Sequence, residues 1–166
     1  DTGSFTYNSN DPKIYIIISE LIKIGIDKDE IYRKVFNTYS ESRLRLMGFC
    51  LYEKMQTFPE FRTAIISLTQ EDLSRFNYVN GDAEGFVNIP LSVKGIDFSV
   101  FLREEKNRIK ISLRSQGKFP ANKVAADLFG GGGHLNAAGA ESYASMQETI
   151  HTLLNALPDY QVFFEE

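Results

Sequence analysis

The chain has 166 residues, enough for one medium domain or for a small domain with part of another. Its 43% hydrophobic and 24% charged residues are typical of a globular protein that buries a core. The net charge of −4 argues against a surface built for long duplex DNA or an anionic membrane, although it leaves room for a short nucleotide in a local basic pocket. No apolar run approaches the roughly 20 residues of a transmembrane helix.

Two further features indicate the cellular compartment of the protein and its relation to a longer chain. The single Cys50 excludes an internal disulfide and fits a reducing compartment, so we expect a cytoplasmic protein. The opening residues 1–3, Asp-Thr-Gly, are neither a signal peptide nor an initiator methionine. We therefore expect that the chain begins inside a larger protein.

The first third of the sequence predicts helices and no strand. After a polar loop over residues 1–10, amphipathic helices are expected over about 11–25, 27–39 and 40–55, and Pro59 ends the last of them. Helix-capping signals support the first two helices, since an aspartate stands at the start of each. We treat this part, residues 1–57, as a helical segment with a linker helix.

From residue 58 onward the pattern changes to an α/β domain, residues 58–166. Strands are predicted over 61–68, 96–103 and 109–114, and helices over 69–76, 121–129 and 145–157. The second and third strands alternate apolar and polar residues around a charged turn, so we predict an antiparallel hairpin. Residues 81–89 are ambiguous, with Asp82 a candidate helix cap, and residues 159–166 suit either an edge strand or a frayed end.

Four consecutive glycines, Gly130–Gly133, follow the predicted helix 121–129 and precede His134. Because glycine loses more backbone freedom on folding than any other residue, such a run indicates a sharp turn or a close approach of the backbone. Glycine N–H groups beside a histidine are suited to an anionic group such as phosphate. The alternative is a helix stop followed by a tight turn, and glycine spacing alone does not decide between the two.

One face of the predicted strand 109–114 carries Lys110, Ser112 and Arg114. The planar fork of an arginine suits bidentate contact with phosphate, whereas the alternative is an ordinary solvated strand face. Ser115 joins this face only if the strand ends there. The sequence contains no complete metal-ligand cluster, and we find no self-sufficient active site in it.

Two stretches resemble the signature of the DHHA1 domain of DHH-family phosphoesterases. They are residues 111–115, Ile-Ser-Leu-Arg-Ser, and residues 130–139, Gly-Gly-Gly-Gly-His-Leu-Asn-Ala-Ala-Gly. Within that family the closest resemblance is to the bifunctional oligoribonuclease and adenosine-3′,5′-bisphosphate phosphatase type. Residues 1–5, Asp-Thr-Gly-Ser-Phe, resemble the last motif of the preceding DHH domain, in which an aspartate is a metal ligand.

The resemblance implies that residues 1–57 are the tail of a DHH domain plus a connecting helix. Residues 58–166 would be a DHHA1 domain with a mixed β-sheet flanked by helices. The DHH lobe of this family holds a pair of divalent ions, usually Mn²⁺ or else Mg²⁺, with Asp-x-Asp and Asp-His-His motifs. This chain has no Asp-His-His, and Asp27 and Asp29 lie at a helix start, where capping accounts for them. Asp1 is the only metal ligand carried over, so we expect the chain alone to bind no metal and to be inactive.

The resemblance also assigns roles in substrate binding. Arg114 and Ser115 would contact a substrate phosphate, and His134 would form a hydrogen bond with it. Asn136 would hold the glycine loop or face the ligand. The backbone would approach the phosphate at three glycines, Gly131, Gly132 and Gly133.

The function implied is hydrolysis of very short RNA or of small phosphorylated nucleotides such as adenosine-3′,5′-bisphosphate. One alternative is a stand-alone nucleic-acid-binding module, and another is a phosphoesterase acting on cyclic-dinucleotide products or polyphosphate. We rank polyphosphate lower, because the related exopolyphosphatases carry a C-terminal domain without the glycine–histidine signature. The expected partners are the substrate and the DHH domain, with no membrane, and the apolar helices of residues 1–57 leave a homodimer open.

Overall fold

The structure is a computed structural model that describes Phe5 and residues 9–164. The described residues fall into two compact units, which divide between Ser40 and Glu41. The boundary expected from the sequence, between residues 57 and 58, falls within the second unit. The assignment of residues 1–57 to the tail of a DHH domain plus a connecting helix stays a prediction.

The first unit contains two helices, α1 (Pro12–Lys23) and α2 (Lys28–Phe36). The Asp11 carboxylate accepts a hydrogen bond from the Lys13 N–H at 2.9 Å, and the Asp27 carboxylate accepts one from the Glu30 N–H at 2.8 Å. These caps confirm the predicted helix starts. Neither helix has a buried residue, and both expose large apolar side chains, which are Tyr15, Ile16, Ile17, Leu21, Ile22, Ile31, Tyr32 and Val35.

The second unit is built on a mixed six-stranded sheet. Its strands are β1 (Met55–Phe58), β2 (Thr63–Leu68), β3 (Phe98–Glu105), β4 (Arg108–Ser115), β5 (Gly132–His134) and β6 (Ala137–Ser142). Their order across the sheet is β1-β2-β3-β4-β6-β5. The β2–β3 pair is parallel and the other four pairs are antiparallel. The predicted α/β class with a mixed sheet flanked by helices is confirmed.

Helices cover the two faces of this sheet unequally. The helices of the unit are α3 (Glu41–Phe49), α4 (Gln70–Arg75), α5 (Ala121–Phe129) and α6 (Met146–Ala156), with 3₁₀ segments Pro59–Phe61, Phe86–Ser92 and Leu157–Phe164. On one face α5, α6 and the segment Leu157–Phe164 pack against β2, β3, β4 and β6 and form the first core cluster. On the other face α3, α4 and the segment Phe86–Ser92 pack against β2 and β3 and form the second core cluster.

The part of that second face formed by β4, β6 and β5 contributes no residue to the second core cluster. It carries Lys110, Ser112 and Arg114 of β4, which are exposed or half-buried. We call this surface the open face. The connection from β2 to β3, which contains α4 and the segment Phe86–Ser92, packs mainly on β3 and also approaches β4, but it leaves these three side chains exposed or half-buried.

The structure corrects the expectation that the first third of the chain contains no strand. The predicted third helix ends at Phe49, a π-helical turn follows over Cys50–Lys54, and β1 then pairs with β2 from Met55↔Ile66 to Phe58↔Thr63. The apolar periodicity continues past Phe49 because Leu51 and Met55 also pack against the second core cluster. Pairing with a neighbouring strand thus overrides the local helical pattern.

The structure also resolves two regions that the sequence left undecided. The Asp82 carboxylate accepts a hydrogen bond from the Val79 N–H at 2.9 Å and closes a turn, so it does not cap a helix. The segment Leu157–Phe164 is a 3₁₀ helix, so the described part of the C-terminal segment forms no edge strand. No helix among the described residues combines the length and the apolarity needed to cross a membrane.

A nearly buried ion pair connects the π-helical turn to α4. The Lys54 ammonium lies 2.7 Å from the Asp72 carboxylate, which also caps α4 by accepting hydrogen bonds from the N–H and hydroxyl groups of Thr69. Burial raises the pKa of the Asp72 carboxyl, but the donors from Lys54 and Thr69 outweigh burial, and its pKa lies below the usual range. The charged form of Asp72 is therefore part of the folded state.

We predict that Lys54→Met lowers the free energy of unfolding by about 1–3 kcal/mol at neutral pH, because it leaves the Asp72 carboxylate without its cation. Since the folded-state pKa of Asp72 lies below the unfolded value of about 3.9, the stabilisation is complete above that value and is lost as the pH falls through the folded-state pKa. The difference between variant and wild type in urea unfolding should therefore shrink in acid.

The control is Arg45→Met, which removes an exposed pair with Glu41 and should cost at most about 0.5 kcal/mol. Equal effects of the two substitutions at neutral pH would contradict a structural role for the Lys54–Asp72 pair.

Candidate functional site

The register of the sheet arranges the open face in rows. In the first row Arg114 of β4 pairs with Ala137 of β6, and Ala137 pairs with His134 of β5. The Cα atoms of Arg114 and His134 are therefore two strand spacings apart, about 10 Å, and only a methyl group stands between their side chains. The two predicted ligand-binding side chains thus flank a small residue on one surface.

Arg114 is half-buried and available to an anion. One of its terminal nitrogens donates to the Leu113 carbonyl at 2.9 Å and reaches the Ala138 carbonyl at 3.4 Å. No salt bridge in the described part of the chain includes Arg114. On its other side Arg114 pairs with Ser99 of β3, whose fully buried hydroxyl has no hydrogen-bond partner there. The guanidinium could exchange two carbonyl contacts for stronger, charge-assisted ones.

The second row of the open face is a trough without large side chains. Ser112 of β4 pairs with Gly139 of β6, and Gly139 pairs with Gly132 of β5. A Cβ atom built on Gly132 would meet no atom within 4 Å, so this glycine borders open space. The trough leaves room for a ligand to lie flat on the backbone beside Arg114 and His134.

Gly131 and Gly133 differ from Gly132, because both press against β6. A Cβ atom on Gly131 would lie 2.3 Å from the Gly139 carbonyl oxygen and 2.5 Å from the Ala140 Cβ atom. On Gly133, which has a φ of +146°, it would lie 2.4 Å from the Ala137 carbonyl oxygen. These two glycines are required for packing of the edge strand, and their predicted contact with a phosphate stays a prediction.

The glycine run also ends α5. Gly130 adopts a left-handed conformation, with φ of 62°, and its N–H donates to the Ala126 carbonyl. The N–H of Gly131 donates to the Ala125 carbonyl at 2.9 Å. At least two of the four glycine N–H groups are thus used within the fold, and Gly132 and Gly133 also belong to the ladder of β5 with β6, so an anion on the open face depends mainly on side-chain donors.

Ser115 and Asn136 form a network behind the open face. The Ser115 hydroxyl, on a residue only 7% exposed, donates to the Phe119 carbonyl at 2.7 Å and accepts from the Asn136 side-chain amide at 2.9 Å. The same amide donates to the Gly117 carbonyl at 3.2 Å. This network ties the β5–β6 turn to the loop after β4, which suits the loop-holding role expected for Asn136. Phosphate contact by Ser115 stays a prediction, and its hydroxyl proton is already committed.

A cavity of about 510 Å³ adjoins the trough where β6 continues beyond the first residue of β5, Gly132. Lys110 and Ser112 line it from β4, Gly139 and Glu141 from β6, and Tyr143 lies just beyond β6. Sequence reasoning placed Lys110 and Ser112 on the right face but missed Tyr143, because the alanine- and glycine-rich β6 carries no strand signal.

The described residues do not supply a metal site. No group of three or more histidine, cysteine, aspartate or glutamate side chains in Phe5 and 9–164 is placed to hold a metal ion. Asp1, the one ligand predicted from the sequence, lies outside the described residues. What the arrangement can do chemically is bind and orient an anionic ligand on the open face.

We predict opposite outcomes for two neighbouring glycines. Gly131→Ala should lower the free energy of unfolding by about 1–3 kcal/mol, because its Cβ atom collides with the backbone of β6. Gly132→Ala should change it by less than about 0.5 kcal/mol, because its Cβ atom enters open space. Urea unfolding of both variants checks the prediction, and a cost at Gly132 that equals the cost at Gly131 would contradict it.

The sequence of this chain matches a known domain family. Residues 63–160 match the DHHA1 domain. The protein named bifunctional oligoribonuclease and PAP phosphatase NrnA from Thermus thermophilus is 32% identical over 140 residues, which are 84% of this chain and 41% of the relative. The protein of the same name from Bacillus subtilis is 27% identical over 144 residues, 87% of this chain and 44% of the relative. The chain thus spans less than half of either relative.

Solved structures agree on the fold. The structure of an exopolyphosphatase-related protein from Bacteroides fragilis has a TM-score of 0.96 and 58% identity, and the match covers 99% of this chain and 48% of that chain. The pGpG-specific phosphodiesterase PggH from Vibrio cholerae has a TM-score of 0.57 at 14% identity, over 90% of this chain and 51% of that chain, which is a likeness of fold alone. Since the domain match covers more than half of the described residues and includes all of β2, β3, β4, β5 and β6, this chain belongs to the DHHA1 family.

Proposed function

We propose that this chain is the substrate-binding part of a metal-dependent phosphoesterase. Its substrates would be short oligoribonucleotides or small phosphorylated nucleotides such as adenosine-3′,5′-bisphosphate. The names of the Thermus thermophilus and Bacillus subtilis relatives support the substrate class. The observation that carries the proposal is the row Arg114–Ala137–His134, in which an arginine and a histidine flank a small residue on an open sheet face.

In this proposal the chain binds and positions the phosphate. Arg114 turns its planar fork toward two phosphate oxygens, and His134 donates to a third from across Ala137. Gly132 and Gly139 leave the space in which the sugar–phosphate backbone lies. Holding the phosphate in a single orientation is a catalytic contribution in itself, because it removes rotational freedom before the chemical step.

The hydrolytic step would belong to a DHH domain in the full-length protein. A pair of divalent ions held there, Mn²⁺ or Mg²⁺, would supply the activated water and stabilise the leaving oxygen. Asp1 is proposed as the one ligand from this chain. The chain alone would then bind substrate without hydrolysing it.

The cellular location and the partner of the apolar helices can also be inferred. We infer a cytoplasmic location from the single Cys50, a free and buried thiol. The exposed apolar side chains of α1 and α2 suit contact with the DHH domain or with a second copy of the protein, and we place the DHH domain first.

Polyphosphate is the second candidate substrate. The Bacteroides fragilis relative, described as exopolyphosphatase-related, is the observation that favours it. A stand-alone nucleic-acid-binding module and an enzyme for cyclic-dinucleotide products rank below both substrates. A module for long single strands would need a continuous stripe of basic and aromatic residues, whereas the basic residues Lys110 and Arg114 are confined to one strand of the open face.

The direct test is an assay of the full-length protein with Mn²⁺. We expect mononucleotides from RNA of two to five residues, phosphate from adenosine-3′,5′-bisphosphate, and little product from long RNA or polyphosphate. Faster release of phosphate from polyphosphate than from the nucleotide substrates would favour the second candidate. No product from any short RNA or bisphosphate nucleotide would contradict the proposed activity.

We predict that Arg114→Ala raises the KM of the full-length protein for adenosine-3′,5′-bisphosphate by roughly 10- to 150-fold, because a charge-assisted contact to phosphate is lost. Arg114→Lys should give a KM between those of the wild type and Arg114→Ala, since lysine keeps the charge but lacks the planar fork. Arg45→Ala, at an exposed position of α3, is the control and should leave the KM unchanged. An unchanged KM in Arg114→Ala, with the wild-type unfolding midpoint, would contradict the role of Arg114.

A further inference from the structure

The cavity beside the trough contains polar side chains that the proposed phosphate grip does not use. Lys110, Ser112 and Arg114 follow each other at every second residue on the open face of β4, so successive members are about 7 Å apart. Arg114 belongs to the first row, whereas Lys110 and Ser112 line the cavity of about 510 Å³. The cavity therefore lies beside the Arg114 position and shares Gly139 with the trough.

Lys110 and Ser112 are both available to a ligand. In the described part of the chain neither the Lys110 ammonium nor the Ser112 hydroxyl takes part in a hydrogen bond or an ion pair. Lys110 pairs in register with Glu141, but the Glu141 carboxylate is already bound by the Arg108 guanidinium at 3.0 Å. Ser112 pairs with Gly139, so no side chain of β6 covers its hydroxyl.

Tyr143 places an aromatic ring at the rim of the same cavity. The residue is 79% exposed, so its ring is accessible to a ligand in the cavity. Its hydroxyl donates to the Glu141 carboxylate at 3.1 Å, and this bond restricts the orientation of the ring. Unstacked nucleobases bind proteins mainly by stacking on such rings.

We propose that Lys110, Ser112 and Tyr143 form a second nucleotide subsite. The ammonium of Lys110 and the hydroxyl of Ser112 hold a second phosphate group, and the ring of Tyr143 stacks on the base of the same nucleotide. The ligand class is a ribonucleotide unit joined to the one whose phosphate Arg114 holds. This inference rests on the proposed function and makes it more specific, because such a subsite favours a dinucleotide over a mononucleotide.

The test is calorimetric titration of the full-length protein without divalent cations, so that no hydrolysis occurs. The two probes are AMP and 5′-phosphorylated diadenylate, and the readout is the ratio of their dissociation constants. We expect Tyr143→Ala to lower the preference for the dinucleotide roughly five- to 150-fold, which is the range for loss of one stacked base. Lys110→Gln should lower it by about tenfold or more, and Tyr143→Phe, which keeps the ring, should retain most of it.

Matched controls separate this effect from general changes of the surface. Tyr52→Ala removes a ring that is 87% exposed outside the cavity, and Lys106→Gln removes a charge from the turn of the same hairpin. Both should leave the ratio unchanged. Equal losses for AMP and the dinucleotide in Tyr143→Ala would overturn the second subsite, because they would show a single shared site.

The outcomes also distinguish this inference from the proposed function. If Arg114→Ala weakens both probes while Lys110→Gln and Tyr143→Ala leave the ratio unchanged, only the second subsite is overturned. If Arg114→Ala changes neither probe, the phosphate grip of the proposed function fails. Absence of any nucleotide binding to the wild-type protein overturns both.

Discussion

The antiparallel pairing of β4 with β6 is the constraint on which the open face depends. It aligns Arg114 with Ala137 and Ser112 with Gly139, and the short pairing of β5 with β6 adds His134 and Gly132 to the same rows. A slip by one residue would place Leu113 and Ser115 outward and bury the arginine. In the proposed site, two motifs that are distant in the sequence would therefore meet a common ligand only because one register holds.

Three of the four glycines are required by the fold, and the fourth borders the space proposed for the ligand. Gly130 ends α5, Gly131 and Gly133 allow β5 to lie close against β6, and Gly132 borders the trough. A helix stop and a ligand loop are therefore compatible in this run, since successive residues serve each purpose. The position of the strand edge, and not a cradle of free N–H groups, would put His134 within reach of the ligand proposed for Arg114.

The sequence was informative where a pattern is local. The alternation in residues 96–114 predicted the β3–β4 hairpin and the shared face of Lys110, Ser112 and Arg114, and side-chain caps predicted the starts of α1, α2 and α6. The sequence was not informative where a strand is stabilised mainly by pairing with its neighbours. The segments Met55–Phe58, Gly132–His134 and Ala137–Ser142 have weak strand propensity, and neighbouring strands and α5 stabilise them. The hydroxyl direction of Ser115 likewise depends on Phe119 and Asn136, which no spacing reveals.

The parallel pair β2–β3 has a consequence for the order of folding. Its two strands are joined by the long connection over residues 69–97, so pairing them closes a large loop, and the entropy of that closure is lost before the contacts form. The β3–β4 and β5–β6 hairpins close short loops instead. We therefore expect the β3–β4 and β5–β6 hairpins to form before β2 pairs with β3, whereas the pairing of β4 with β6 closes the longer loop over residues 116–136. Arg114 and His134 of the proposed site lie in these two hairpins, so substitutions there would act on the folding rate as well as on any binding.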